Sequence, residues 1–198
     1  MKPILLIVAG ANGSGKTTLI NRHKKILSNI PFINPDDIAN QLDSSYDGKD
    51  NQLILKASRK AIILQNSMLQ SKKSFGLETT LSGKRELKLM QKAKLLGYEV
   101  KLVYIGLNSY RHNILRVLSR VKKGGHYVTP STIISRYKKS MLNLNNAIIY
   151  ADKTYIYDNS TQYHKQVGQI KENKCLILKA KDLPSWIKNI KFNDSIKK

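Results

Sequence analysis

Residues 4–18 read Ile-Leu-Leu-Ile-Val-Ala-Gly-Ala-Asn-Gly-Ser-Gly-Lys-Thr-Thr, and no other part of the chain says as much. The apolar, β-branched run Ile4 to Ala9 predicts a buried strand. It ends at Gly10, and Gly10 to Thr17 satisfies the pattern G-x-x-x-x-G-K-[ST]. Gly10, Gly13 and Gly15 permit a positive φ and a close approach of bare backbone to phosphate oxygens. The next segment, Lys16 to Leu27, predicts a helix whose free N–H groups and positive dipole end face the same anion. A nucleotide-phosphate site is therefore expected on Gly10, Ala11, Asn12, Gly13, Ser14, Gly15, Lys16, Thr17 and Thr18. Lys16 would reach the β- and γ-phosphates of ATP, and the Thr17 hydroxyl would ligate Mg²⁺.

The 198 residues suit one domain, 1–198, at 41% hydrophobic and 24% charged. The apolar start runs directly into the phosphate loop and is too short to span a bilayer, so neither a signal peptide nor a membrane partner is expected. Cys175 is the single cysteine, which excludes an internal disulfide and points to a cytoplasmic protein with a structural thiol. The net charge of +22 has three readings. It could mark a nucleic-acid partner, a positive cleft for an anionic small-molecule substrate, or a lysine-, asparagine- and isoleucine-rich composition. The basic residues are scattered, without a basic arm, which favours the last two.

Downstream, Pro31 to Asn34 predicts a short strand leading into Pro35-Asp36-Asp37. Pro35 and the two acids suit a first helical turn. Asp36, just past a strand end, also lies on the rim that carries the phosphate loop. Residues 50–71 predict a helix with Leu53, Ala57, Ala61, Leu64 and Met68 inward. Ser74 to Leu77 predicts a strand ending at Glu78-Thr79-Thr80, and Glu78 is a candidate for ligand or Mg²⁺ contact. Thr80 or Ser82 could cap the helix that stops at Gly97. Tyr98 to Leu107 is the clearest interior strand. The helix after it buries Ile114, Val117, Leu118 and Val121, which leaves Arg116 and Arg120 to project together. A break at Gly124-Gly125, with His126 as a hinge hydrogen-bonder, separates it from a helix capped by Thr129 or Ser131, which carries Arg136. Residues 108–150 thus form a helical lid with arginines on both arms, suited to a transferring phosphoryl group. Lys153 to Asp158 is the last main strand, and the loop beyond it, with Asn159, could hold the nucleotide base or be an ordinary Asp-Asn turn. Residues 161–198 form a peripheral segment: Lys165 to Glu172 and Cys175 to Lys179 as a pair of strands or a strand plus turn, a short helix with Trp186 packed on the body, and a fraying tail.

These motifs together resemble the zeta-toxin family of P-loop kinases. The resemblance rests on Gly10 to Thr18, on Phe32-Ile-Asn-Pro-Asp36-Asp-Ile-Ala39, and on Phe75-Gly-Leu-Glu78-Thr-Thr-Leu-Ser-Gly83. It continues in Arg116-Val-Leu-Ser-Arg120-Val-Lys-Lys-Gly-Gly-His-Tyr-Val128, Arg136-Tyr137 and Tyr157-Asp-Asn-Ser160. It implies an α/β fold with a kinase-type five-strand parallel sheet flanked by helices. It further implies ATP-dependent phosphorylation of a sugar hydroxyl, for toxin members on UDP-N-acetylglucosamine, and an antitoxin protein as partner. On this resemblance Asp36 is the catalytic base, Glu78 contacts substrate beside Thr79 and Thr80, and Arg120, Arg136 and Arg116 meet phosphate. Two other readings keep the nucleotide site: a polynucleotide 5′-hydroxyl kinase, for which +22 would be the footprint, and an ATPase or nucleotide-gated binding module without transfer. The latter lacks an apolar strand ending in an Asp-Glu pair.

Overall fold

The structure, a computed structural model, describes residues 2–44, 46, 50–161, 163–171, 174–178 and 183–190. The expectations for the Cys175 thiol and for the tail after Ile190 fall outside the described side chains and residues. The apolar run becomes strand β1 (Ile4–Ala9), with Leu5 to Ala9 buried. Burial on both faces is what an unbroken β-branched run in a central parallel strand requires. On one flank β1 pairs in parallel with β2 (Phe75–Thr79), and on the other with β3 (Glu99–Gly106), which pairs with β4 (Lys153–Asp158). β5 (Lys165–Lys171) and β6 (Lys174–Leu178) extend the sheet antiparallel, so its order is β2-β1-β3-β4-β5-β6.

The α/β class stands, and the strands of the peripheral segment make the whole sheet mixed. The predicted strand at Pro31 to Asn34 contracts to a single parallel bridge, Phe32 to Gly76, at the outer edge of β2. Prolines at 31 and 35 leave room for little more, since each lacks a ladder donor. Gly76 accommodates this edge because the Phe32 ring lies where its Cβ would be. The four strands and this bridge fill five parallel positions, and the hairpin β5–β6 adds the antiparallel pair.

Helices cover both faces. α1 (Lys16–Arg22) lies over Leu6, Val8 and Ile105 through Leu19. It stops short of the expected Leu27 and continues as turns with bonds such as Ile26 N to His23 O and Ile30 N to Leu27 O. Those turns set Leu27 and Ile30 on the same cluster. The opposite face takes α2 (Pro35–Leu42), α3 (Asn51–Gln70), α4 (Arg85–Leu95) and α6 (Pro130–Tyr150), while α5 (Tyr110–Val121) packs beside α6. In α3 the buried stripe is Ala57, Ala61, Gln65 and Leu69, and Leu64 is exposed, contrary to expectation. The buried Gln65 is held by Arg85 Nη1 at 3.0 Å. Trp186, in a 3-10 helix at Ser185–Asn189, is buried against Tyr104, and its indole N–H donates to Asp158 at 2.8 Å.

Register places the functional segments. Ala9 is level with Thr79 and Tyr104, and Gly106 with Asp158. The chain segments leaving β1, β2 and β4 therefore emerge at one sheet edge, where open α/β sheets hold their ligands.

Candidate active site

The loop after β1 adopts the positive φ values its glycines predict: 77° at Gly13 and 98° at Gly15. What lies behind these glycines is protein. A Cβ on Gly13 would come within 2.7 Å of the Asn113 carbonyl, and one on Gly15 would run into the Asn159 amide. Lys16 curls back over the loop, with Nζ donating to the carbonyls of Gly10 (2.8 Å) and Ala11 (3.2 Å). Burial lowers its pKa to about 8. The Glu78 carboxylate, 3.8 Å from Nζ, pulls the other way, and Arg120 and Arg136 add to the depression.

Glu78 also accepts from the Thr17 hydroxyl at 2.9 Å. A hydroxyl and a carboxylate at this distance are hard oxygen donors of the kind Mg²⁺ takes, with phosphate oxygens and water completing its shell. Among the described residues no group of three or more His, Cys, Asp or Glu side chains could hold a metal without such help. The residues present thus fit a nucleotide-bound Mg²⁺ rather than an all-protein metal centre.

These groups line a cleft of about 760 Å³. Asn12, Gly13, Gly15, Lys16, Thr17 and Thr18 of the loop and α1 line it together with Asp36, Glu78 to Thr80, Arg116, Arg120, Arg136 and Asn159. Gly10, Ala11 and Ser14 of the loop are buried and do not line the cleft. Asp36 reaches the cleft because Asn34 caps α2, accepting from the Asp36 N–H at 3.0 Å, with Pro35 opening the helix. That cap occupies the backbone of Asp36 and leaves its exposed carboxylate to the cleft.

The arginines differ in what they touch. Arg136 Nη1 donates to the Asn12 side chain at 3.2 Å, which ties α6 to the phosphate loop. Arg120 folds onto the break after α5, donating to the His126 carbonyl at 2.8 Å, and Gly124 there has φ 84°. The hinge contact is thus made by the His126 backbone, while Thr129 caps α6 as predicted. Arg116 is a strut: Nη2 donates to the carbonyls of Asn159 (2.7 Å) and Thr161 (3.2 Å), and burial lowers its pKa against the opposing pull of Asp158.

Two expectations for the neighbourhood are corrected. Thr80 and Ser82 bond each other at 2.8 Å and leave the cap of α4 to Lys84, without a side-chain bond. Leu118 is exposed, and the inward side of α5 instead buries Asn113, whose Nδ2 donates to the Asn12 carbonyl at 2.7 Å. Sequence reasoning also missed Asn34, Tyr46, Ile54 and Val128 in the cleft lining. It missed His164, whose Nε2 lies 3.1 Å from the Gly15 carbonyl. Asn113 carried a signal, a polar residue four before Val117 on the buried face; His164 carried none.

A phosphate loop at the carboxyl edge of a parallel sheet, with lysine, hydroxyl and carboxylate converging on it, defines a P-loop nucleotide-binding fold. The family model for Zeta toxin matches residues 1–167, and the chain belongs to that family of P-loop kinases. A curated relative, an uncharacterized protein of Haemophilus influenzae, is 34% identical over 132 residues, 67% of this chain and 91% of the relative. Among solved structures, the AvrRxo1-ORF1:-ORF2 complex with ATP superposes with a TM-score of 0.70 at 17% identity. That match covers 89% of this chain and 60% of the other, so this chain spans less than two thirds of that protein's length. A structure from the PezAT toxin-antitoxin system of Streptococcus pneumoniae matches at a TM-score of 0.65 and 21% identity, over 85% of this chain and 71% of its own. The Pnkp1/Rnl/Hen1 RNA repair complex matches at 0.58 and 20%, over 72% and 45%. At these identities the structural matches speak for the fold.

Proposed function

We propose that the protein is an ATP- and Mg²⁺-dependent phosphotransferase that carries the γ-phosphate to a hydroxyl of an anionic small molecule. A nucleotide sugar such as UDP-N-acetylglucosamine is the acceptor the family resemblance implies. The observation that carries the reading is the single cleft in which Asp36 shares walls with Lys16, Thr17, Glu78, Arg120 and Arg136. When bound there, ATP would supply the phosphoryl group and Mg²⁺ would neutralise charge on its phosphate oxygens.

The chain's own residues do the rest. Lys16 and the loop N–H groups would bind the phosphates, and Thr17 with Glu78 would hold the metal. Asp36 accepts the proton of the acceptor hydroxyl, help typically worth about 10²–10⁴ in rate. Arg120 and Arg136, reaching in from either side of the Gly124 break, stabilise charge on the transferring group. Arg116 and Asn159 hold the cleft wall from which the nucleotide is contacted. The family and the PezAT likeness favour a neutralising antitoxin as protein partner, and the single cysteine favours the cytoplasm as location. No helix among the described residues is long and apolar enough to cross a membrane.

A transfer assay with labelled ATP tests the reading, with UDP-sugars, nucleosides and 5′-hydroxyl oligonucleotides as acceptors and Lys16→Ala as the blank. Label on a UDP-sugar supports it. Label on the oligonucleotide, with binding that weakens steeply as salt rises, would transfer the site to a polynucleotide kinase. Phosphate release that no acceptor stimulates would make it an ATPase.

A further inference from the structure

The backbone of the phosphate loop is held from behind, carbonyl by carbonyl. Apart from Gly13, each carbonyl from Gly10 to Gly15 accepts from a side chain. Lys16 takes Gly10 and Ala11. The Asn113 amide takes Asn12 at 2.7 Å, the Asn159 amide takes Ser14 at 2.8 Å, and His164 Nε2 lies 3.1 Å from the Gly15 oxygen. The last three come from separate places: α5, the end of β4, and the turn before β5. A peptide plane whose carbonyl is fixed away from the cleft turns its N–H the other way, so these contacts decide what the loop presents to an anion.

Two further observations support a positioning role. The glycines fit the clamps: the Asn159 amide occupies the place of a Gly15 Cβ, and the Asn113 backbone crowds that of Gly13. Among the described residues, two of the clamps and the loop also keep buried polar atoms without hydrogen-bond partners: Asn113 Oδ1, His164 Nδ1 and Ser14 Oγ. Such atoms cost stability, and apolar side chains of similar size would avoid that cost if filling space were the only demand.

We propose that Asn113, Asn159 and His164 are positioning residues that orient the phosphate-loop N–H groups toward the β- and γ-phosphates of the nucleotide. This rests on the reading of the cleft as a nucleotide-phosphate site. It gives the Asn159 amide a role behind the loop, and adds Asn113 and His164, which do not line the cleft.

The test is binding of ATP, ADP and adenosine to the full chain by calorimetry, with melting temperature measured alongside. Asn159→Leu and His164→Phe should each weaken ATP and ADP about tenfold, the effect of one lost oriented hydrogen bond. In His164→Phe, which alters no residue of the cleft lining, adenosine affinity should stay unchanged, and His164→Gln, whose amide can still donate to Gly15, should restore most of the loss. Asn113→Leu, on a different element, gives an independent reading should either variant fold poorly. Unchanged ATP affinity in the Leu and Phe variants overturns the proposal. So does a loss that falls equally on adenosine and tracks the melting temperature, which is the mark of general damage. A wild-type chain that does not bind ATP refutes the site itself, and that result precedes any substitution.

Discussion

Replacing Lys16 by methionine should make the nucleotide-free protein more stable while destroying its hold on ATP. The Lys16 ammonium is buried, and burial is the largest cause of a pKa lowered from 10.5 to about 8. That depression corresponds to roughly 3 kcal/mol by which the folded state disfavours the charged amine. Methionine fills similar space without the charge, but strands the Gly10 carbonyl, at a cost of about 1 kcal/mol. Near neutral pH the variant should therefore gain about 2 kcal/mol. The sign with pH follows from proton counts. Between about 8 and 10.5 the unfolded chain binds the Lys16 proton and the folded chain does not, so wild-type stability rises with pH relative to the variant. By about pH 10 most of the difference should be gone. Urea denaturation of both proteins at the two pH values measures this, and the pairwise difference cancels every other titrating group. A variant less stable than wild type at neutral pH, or a difference that does not move with pH, would refute the buried-ammonium account.

Other outcomes follow from the same geometry. ATP affinity of the wild type should fall as pH rises above about 8, because the neutral amine offers phosphate no charge, while Lys16→Met should bind weakly with no such dependence; isothermal titration across pH checks both. Arg136→Gln should lower the transfer rate by about 10³, the lower range for an arginine acting on a transferring phosphoryl group, with the Kd for ATP nearly unchanged; rapid-quench kinetics separates the two. Trp186→Phe should destabilise the fold by about 2 kcal/mol, through lost volume and the lost indole bond to Asp158, as read by thermal denaturation.

What the sequence disclosed follows from which interactions have a period or a pattern. The phosphate loop was legible because its backbone needs glycine at set places, and β1, β3 and the helices because their burial repeats. Where burial was met by a polar residue, apolar periodicity misled. In α3 the inward positions are Ala57, Ala61, Gln65 and Leu69, and Gln65 is tolerated only because Arg85 satisfies it from α4. In α5 the same substitution of polar for apolar put Asn113 inside and Leu118 out, because the Asn12 carbonyl needs a donor there. The strand at Pro31 to Asn34 failed for a local reason, the missing proline donors, and the hydroxyls of Thr80 and Ser82 found each other before any helix end. Of the residues singled out from sequence, Asp36, Glu78, Arg120 and Arg136 do line one cleft with Lys16. Arg116 proved to brace the wall by its guanidinium, a long-range contact across 43 residues that no local pattern announces.

The most direct test of the central claim is a comparison of wild type and Asp36→Asn for both ATP binding and single-turnover γ-phosphate transfer to a hydroxyl acceptor. The expected result is equal ATP affinity with transfer slowed by about 10²–10⁴. Transfer at the wild-type rate by Asp36→Asn would contradict it.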